Sequence, residues 1–221
     1  MKVIAKIKTD FPEKFGIPRQ SGLANTVATV VFEPEYRVDE ALRGIEGFSH
    51  LWLIWEFHRA KRDEWSPTVR PPRLGGNKRM GVFATRSPFR PNSIGLSSVK
   101  LLGTEKTSEG TVLIVSGADL LDGTPIFDIK PYLPFTDCHA DAVGGFADER
   151  KDYSLEVVCD GELLSIIPSE KIEPLLEILS EDPRPQYIDD PERIYGMRYG
   201  DYEIKFSVDA DILTVKNIEK V

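Results

Sequence analysis

Short runs of β-forming residues, each bounded by Gly, Pro or another turn residue, fill the first two thirds of this 221-residue chain. Val3–Ile7 alternates apolar and polar positions, and Asn25–Phe32 and Leu51–Phe57 are rich in Val, Ile, Phe and Trp. Gly81–Thr85, Ile94–Leu102 and Val112–Ser116 continue the series. Runs of this length and composition read as strands. No long amphipathic helix alternates with them, which disfavours a doubly wound α/β sheet. The pattern predicts a mainly β fold, a small antiparallel barrel or strongly curved sheet. No GxG tripeptide occurs, so the Gly-rich loop of a dinucleotide fold is absent. Val38–Ile45 is expected to be a short helix, with Asp39 as its N-cap.

The composition shifts near Ala147. From Asp148 to the end there are 19 acidic and 9 basic residues. Ser169 is expected to cap a helix through Ile172–Leu179 that exposes Glu170, Glu173 and Glu177, and Pro183 stops it. The strands Tyr202–Val208 and Ile212–Ile218 follow. The chain therefore reads as a β-barrel domain, 1–147, and a small acidic α+β domain, 148–221.

Several classes fall away. The longest strongly apolar run is Leu51–Trp55, far short of the roughly 20 residues of a membrane span. MKVIAKIKTDF has no apolar h-region of a secretory signal. Two cysteines, Cys138 and Cys159, suggest no disulfide framework, so a cytoplasmic location is expected. No CxxC or HExxH pair occurs, and the cluster Asp137-Cys138-His139-Ala140-Asp141 is too common a composition to imply a metal. No metal is expected.

The net charge of -8 argues against a polyanionic partner only if charge is spread evenly. It is not. Arg59–Arg90 holds nine basic and two acidic residues. Within it, Arg70, Arg73, Lys78 and Arg79 flank a Pro-Pro and a Gly-Gly pair, a loop able to follow a phosphate backbone. Further on, Arg86, Phe89, Arg90 and Asn92 lie among prolines, which hold arginines at low entropic cost. Pro18-Arg19-Gln20 reads as a loop that presents Arg19 and an amide, or as an ordinary surface turn. The run from His50 to Arg59 ends a strand with Glu56, His58 and Arg59. After the Asp122-Gly123 turn signal, Asp128, Lys130 and Tyr132 fall on one face of an extended segment. That edge is either reactive or an Asp–Lys surface pair of little energetic consequence.

Five segments together resemble one family, the bacterial and archaeal tRNA N6-threonylcarbamoyladenosine-37 N6-methyltransferases. They are FGIPRQSGL, GIEGFSHLWLIWEFHRA, TVRPPRLGGNKRMGVFATRSPFRPNSIGLS, DLLDGTPIFDIKPYLPF and EDPRPQYIDDPERIYGM. The resemblance implies S-adenosylmethionine as cofactor, the t6A nucleoside at position 37 of a tRNA anticodon loop as substrate, and a homodimer built on a non-Rossmann β-barrel. It places cofactor contacts on Pro18, Arg19, Gln20, His58, Arg59, Arg86, Leu96, Asp122, Gly123, Thr124 and Pro125. Relatives vary at the position of Arg59, where a backbone contact would survive the change. For that substrate, Asp128 and Tyr132 are candidate proton acceptors, and Lys130 could orient a carboxylate or phosphate. The basic residues above, with Phe89, Arg90 and Asn92, are the tRNA-binding candidates. Two other readings stay open. One is a non-catalytic RNA-binding barrel that keeps the cofactor pocket as a sensor. The other is a small-molecule binding or hydrolytic protein using His58 and Asp122.

Overall fold

The computed structural model describes residues 1–60, 64–71, 78–150, 153–184 and 190–221. Six antiparallel strands pair in a closed ring: β1 (Ala5–Lys8), β2 (Val27–Phe32), β3 (His50–Glu56), β6 (Ile94–Thr107), β7 (Gly110–Ser116) and β8 (Pro125–Pro131). Around the ring the order is β1-β2-β7-β6-β3-β8, and β8 returns to β1. Closure leaves no long unpaired edge in this sheet. Alternate side chains point inward, as β3 shows by its strict half-buried, buried alternation. Ala5, Ile7, Val30, Leu51, Leu53, Leu113, Val115 and Ile126 fill the interior.

Between β3 and β6 the chain leaves the barrel as a lobe. It carries a two-residue hairpin of β4 (Thr68–Val69) and β5 (Met80–Gly81), then a 3-10 turn at Val82–Ala84. The strand expected over Gly81–Thr85 is therefore wrong. Val82 is buried and its N–H donates to the Pro67 carbonyl, which turns the chain instead of extending it. The helix expected over Val38–Ile45 is two 3-10 turns, Asp39–Leu42 and Ile45–Gly47. Gly44, at φ 87°, separates them. Asp39 does not cap; its carboxylate accepts from the Thr111 hydroxyl at 2.6 Å.

The C-terminal part is a four-stranded sheet ordered β10 (Tyr195–Tyr199), β11 (Tyr202–Asp209), β12 (Ile212–Lys220), β9 (Glu156–Val158), where β9 runs parallel to β12. Two short helices, α1 (Pro134–Asp137) and α2 (Gly161–Leu164), precede the main helix, α3 (Ser169–Ser180). Pro168, not Ser169, occupies the N-cap position of α3. Glu177 is half-buried and held: it accepts from the backbone and side-chain N–H groups of Asn25, each at 2.7 Å. Among the described residues no helix is long and apolar enough to cross a membrane.

The β1–β2 connection, residues 9–26, belongs to the second core more than to the first. Phe11 and Ala24 are buried with Leu175, Leu179, Tyr199 and Phe206, and the Phe15 ring stacks on Phe206 at 6.5 Å. Polar ties reinforce this. Lys171 reaches Asp10 at 2.7 Å, and the Gly200 N–H donates to the Asp10 carbonyl at 2.7 Å. A long connection that would otherwise be mobile is thus clamped by the C-terminal sheet and α3. It carries Pro18, Arg19 and Gln20.

Candidate active site

The clamped loop delivers its polar tip to one rim of the barrel. Pro18 is buried and fixes the turn. Arg19 Nη2 donates to the Asp182 carbonyl at 2.7 Å, and Gln20 Nε2 donates to the Arg19 carbonyl at 2.5 Å. Arg86, from the lobe, donates through Nη1 to Gln20 Oε1. Loop and lobe, 66 residues apart in sequence, meet at this amide.

Across the same rim lies the β7–β8 turn. The Thr124 N–H bonds to the Leu121 carbonyl at 3.1 Å, and Gly123 between them takes φ 73°, a conformation that favours glycine. Asp122 Oδ1 accepts from the Thr9 N–H at 2.9 Å, which ties the turn to the base of the clamped loop. Pro125 then opens β8. Thr124 is buried, with its hydroxyl 3.5 Å from His58 Nδ1. Burial, and then the positive Arg59 and Lys14, hold the His58 imidazole below its ordinary pKa, so it is neutral at pH 7. Arg59 projects outward, while its backbone carbonyl accepts from Lys14 Nζ at 2.6 Å.

One rim residue escaped the sequence reading. Asp119 sits just before the β7–β8 turn. Its Oδ1 accepts from Ser97 Oγ at 2.5 Å, and Ser97 Oγ accepts from Trp55 Nε1 at 2.9 Å. The Ser21 backbone, in the loop next to Gln20, also favours the charged form of this carboxylate. A chain of hydrogen bonds therefore runs from Trp55 through Ser97 to Asp119. Gly95 makes room for it: a Cβ there would lie 2.3 Å from the Trp55 ring. Desolvation holds the Asp119 carboxyl above the usual carboxylate range, opposed by the Ser97 hydroxyl, nearby backbone N–H groups and Arg86. The only sequence signal was a lone acid in the apolar run VSGADLL.

The raised Asp119 value has a stability consequence. The folded protein binds this proton more tightly than the unfolded chain does, so stability falls as pH rises through the window above the ordinary carboxylate pKa. Asp119→Asn keeps an acceptor for Ser97 and removes the charge. The variant is expected to lose less melting temperature than wild type between pH 4 and pH 7, which thermal scans across that range measure.

The three catalytic candidates lie on the outer barrel wall. Asp128 and Lys130 form a 3.1 Å ion pair, each roughly half exposed. Tyr132 packs on Trp52 and His50, with ring centroids 5.4 and 6.2 Å apart. Asp128 lies directly across from Ile54, and Ile54 from Leu96, so these residues form one row over three strands. Leu96 thus faces solvent on the wall, 56% exposed, while the other cofactor candidates sit at the rim. In the lobe, Arg70, Lys78, Arg79 and Asn92 are exposed. Arg79 donates to the Thr68 hydroxyl at 3.2 Å, and Arg90 to the Thr85 carbonyl at 2.9 Å. Phe89 is half-buried. Arg73 lies outside the described residues.

Residues 6–138 match the tRNA-methyltransferase O N-terminal domain, and residues 168–221 match the corresponding C-terminal domain. The chain belongs to the tRNA-methyltransferase O family. A protein of Escherichia coli K12 named tRNA (adenine(37)-N6)-methyltransferase is 41% identical over 93% of this chain and 91% of its own length. One of the same name from Eikenella corrodens is 47% identical, over 79% of this chain and 98% of its own. The crystal structure of the family member from Pseudomonas aeruginosa superposes with a TM-score of 0.79 at 35% identity, covering 100% of this chain and 97% of that one. The N-terminal domain supplies the rim, and the C-terminal domain buttresses its Pro18–Gln20 loop. Arg86 and the β7–β8 turn come from the N-terminal match, and Asp182, which receives Arg19, from the C-terminal match.

Proposed function

We propose that this protein methylates N6 of t6A at position 37 of a tRNA anticodon loop, giving m6t6A, with S-adenosylmethionine as donor. The observation that carries this reading is the rim, where Arg86 and the Gln20 amide meet on one side and Thr124 and His58 on the other, beside the basic lobe. The donor set fits the cofactor. An arginine and an amide suit the carboxylate of its amino-acid end. A neutral His58 and the buried Thr124 add no positive charge against a sulfonium. When bound, S-adenosylmethionine supplies an electrophilic methyl carbon.

The chain's own residues then have two tasks, orientation and proton removal. N6 of t6A is joined to a carbonyl, which makes it a weak nucleophile with an acidic N–H. Asp128 is proposed to take that proton as the N–C bond forms. Lys130 would hold the threonyl carboxylate and Tyr132 the base edge. Holding the reactants in line can supply roughly 7–11 kcal/mol of a barrier. The proposal includes the homodimer. The row Asp128–Ile54–Leu96 faces outward, and a second copy against this wall would bring it into a shared site.

The test is transfer of labelled methyl to t6A-containing and t6A-free tRNA, followed by nucleoside mass analysis. Label in t6A-containing tRNA alone, with the added mass on that nucleoside, is the expected result. Cofactor binding without transfer would favour the sensor reading, and no cofactor binding the small-molecule one. Binding should also depend on salt. With about four phosphates gripped by the lobe, tRNA affinity is expected to fall roughly 100-fold from 50 to 200 mM salt. Filter binding over that range reads the slope, and a flat profile would remove the lobe from the interface.

A further inference from the structure

Trp65 and Phe83 stand together on the lobe, outside every site residue named above. Their rings are nearly parallel, with 6.2 Å between centroids and 26° between planes. Both are open to solvent, Trp65 50% and Phe83 73% exposed. They meet because the β4–β5 pairing and the Val82 N–H···O=C Pro67 bond hold the two ends of the lobe side by side. The buried Val82 anchors this junction, while its neighbour Phe83 points away from the core.

A cavity of about 170 Å³ opens beside Trp65, walled also by Pro88, Phe89, Arg90 and Pro91. That is smaller than the several hundred Å³ typical of a drug-sized ligand and suits one planar ring. The Arg90 guanidinium in this wall is held by the carbonyls of Thr85 and Ser87 at 2.9 and 3.4 Å. Glu64, also in the wall, offers an acceptor rather than a counter-charge to phosphate. In sequence, the segment Arg59–Arg90 to which both rings belong carries nine basic residues against two acidic ones. Exposed aromatics in a basic segment match an unpaired nucleotide, with its base on the rings and its phosphate on basic side chains such as the exposed Arg70, Lys78, Arg79 and Arg86.

We infer that Trp65 and Phe83, with the Phe89–Arg90 cavity beside them, form a stacking subsite for one unpaired RNA base next to the base to be methylated. The inference rests on the tRNA reading above and adds where a neighbouring loop nucleotide is held. Such a subsite fixes the register of the loop. It would separate the modified base from its neighbours before any chemistry occurs.

The experiment uses the full chain and an anticodon stem–loop RNA carrying t6A. Trp65→Ala and Phe83→Ala are each expected to raise the RNA Kd roughly five- to 150-fold, the loss of one base–aromatic stack. Trp65→Phe should restore most of the affinity, and the Kd for S-adenosylmethionine should not move. An abasic nucleotide at one loop position should weaken wild-type binding equally and leave nothing further for Trp65→Ala to remove. RNA affinities within twofold of wild type for both alanine variants would overturn the subsite. So would a shift in oligomeric state with RNA affinity unchanged, which would assign the rings to a protein contact. If either alanine variant melts early, Trp65→Phe and the abasic series on wild type still decide. Ring-dependent binding without methyl transfer would leave the subsite standing and sink the enzymatic reading instead.

Discussion

Arg86→Ala is expected to lower methyl transfer to tRNA by about two orders of magnitude, with little change in melting temperature. The side chain is exposed, so its loss leaves no buried cavity or unpaired core charge. What it loses is the junction between the lobe and the clamped loop, the bond from its Nη1 to Gln20 Oε1. Hydrogen bonds to charged groups contribute about 1.5–3 kcal/mol, or roughly 10- to 150-fold in affinity for a carboxylate ligand. In the proposed site, where Gln20 helps to hold the amino-acid end of the cofactor, a freed Gln20 would also leave that end unregistered, and a displacement of about 1 Å can cost 100-fold in rate. Arg86→Lys should recover the charge but not the planar fork, so affinity for S-adenosylmethionine should return in part and turnover less. Calorimetric titration with the cofactor and single-turnover transfer measure the two effects separately. Wild-type turnover in Arg86→Ala would remove this residue from the site.

Most barrel strands were legible by a local rule, a short run of β-forming residues closed by Gly, Pro or Asx, with strict inward alternation in β1 and β3. Ile94 begins β6 as expected, and the strand runs on to Thr107, since cross-strand pairing with β7 carries it past the last apolar residue. Gly81–Thr85 failed for the opposite reason. Its composition is strand-like, but one long-range bond from Val82 to Pro67 bends it. The helix expected after Val38 is cut at Gly44, whose left-handed φ of 87° ends the run before a second α-turn can form.

The site was legible as loops and not as contacts. The resemblance named Arg19, Gln20, Arg86 and the Asp122–Pro125 turn, where residue type alone left the Arg19–Gln20 loop open as a surface turn, and the fold brings them to one rim. Asp119 did not stand out, because its significance lies in Ser97 and Ser21, 22 and 98 residues earlier in the chain. Trp65 and Phe83 looked like two ordinary aromatics. Only the β4–β5 hairpin makes them a pair. The division near Ala147 followed a change of charge, whereas the second core takes Phe11 and Ala24 from the β1–β2 connection. Charge marks surfaces, and core membership is set by which apolar groups meet.

Asp182→Ala is expected to cost about 3–5 kcal/mol of stability, a large part of the roughly 5–15 kcal/mol typical of a folded domain. Asp182 is 1% exposed and takes φ 52°, a backbone conformation that Asp tolerates better than Ala. Its carboxylate receives Arg184 Nε at 3.0 Å and the Tyr153 hydroxyl at 3.1 Å. Removing it strands a guanidinium that is itself only 10% exposed. The carbonyl of the same residue accepts from Arg19, so any backbone relaxation at 182 is passed to the Pro18–Gln20 loop. Asp182→Asn separates the two effects. It keeps the tolerance of the left-handed region and one acceptor for Arg184, and its amide N–H can donate to the Tyr153 hydroxyl, but it loses the ion pair. The alanine variant should therefore unfold at clearly lower denaturant and bind S-adenosylmethionine more weakly. The asparagine variant should lose part of the stability and keep most of the cofactor affinity. If both variants bind cofactor as wild type does, the C-terminal domain stabilises the chain without setting the geometry of the rim.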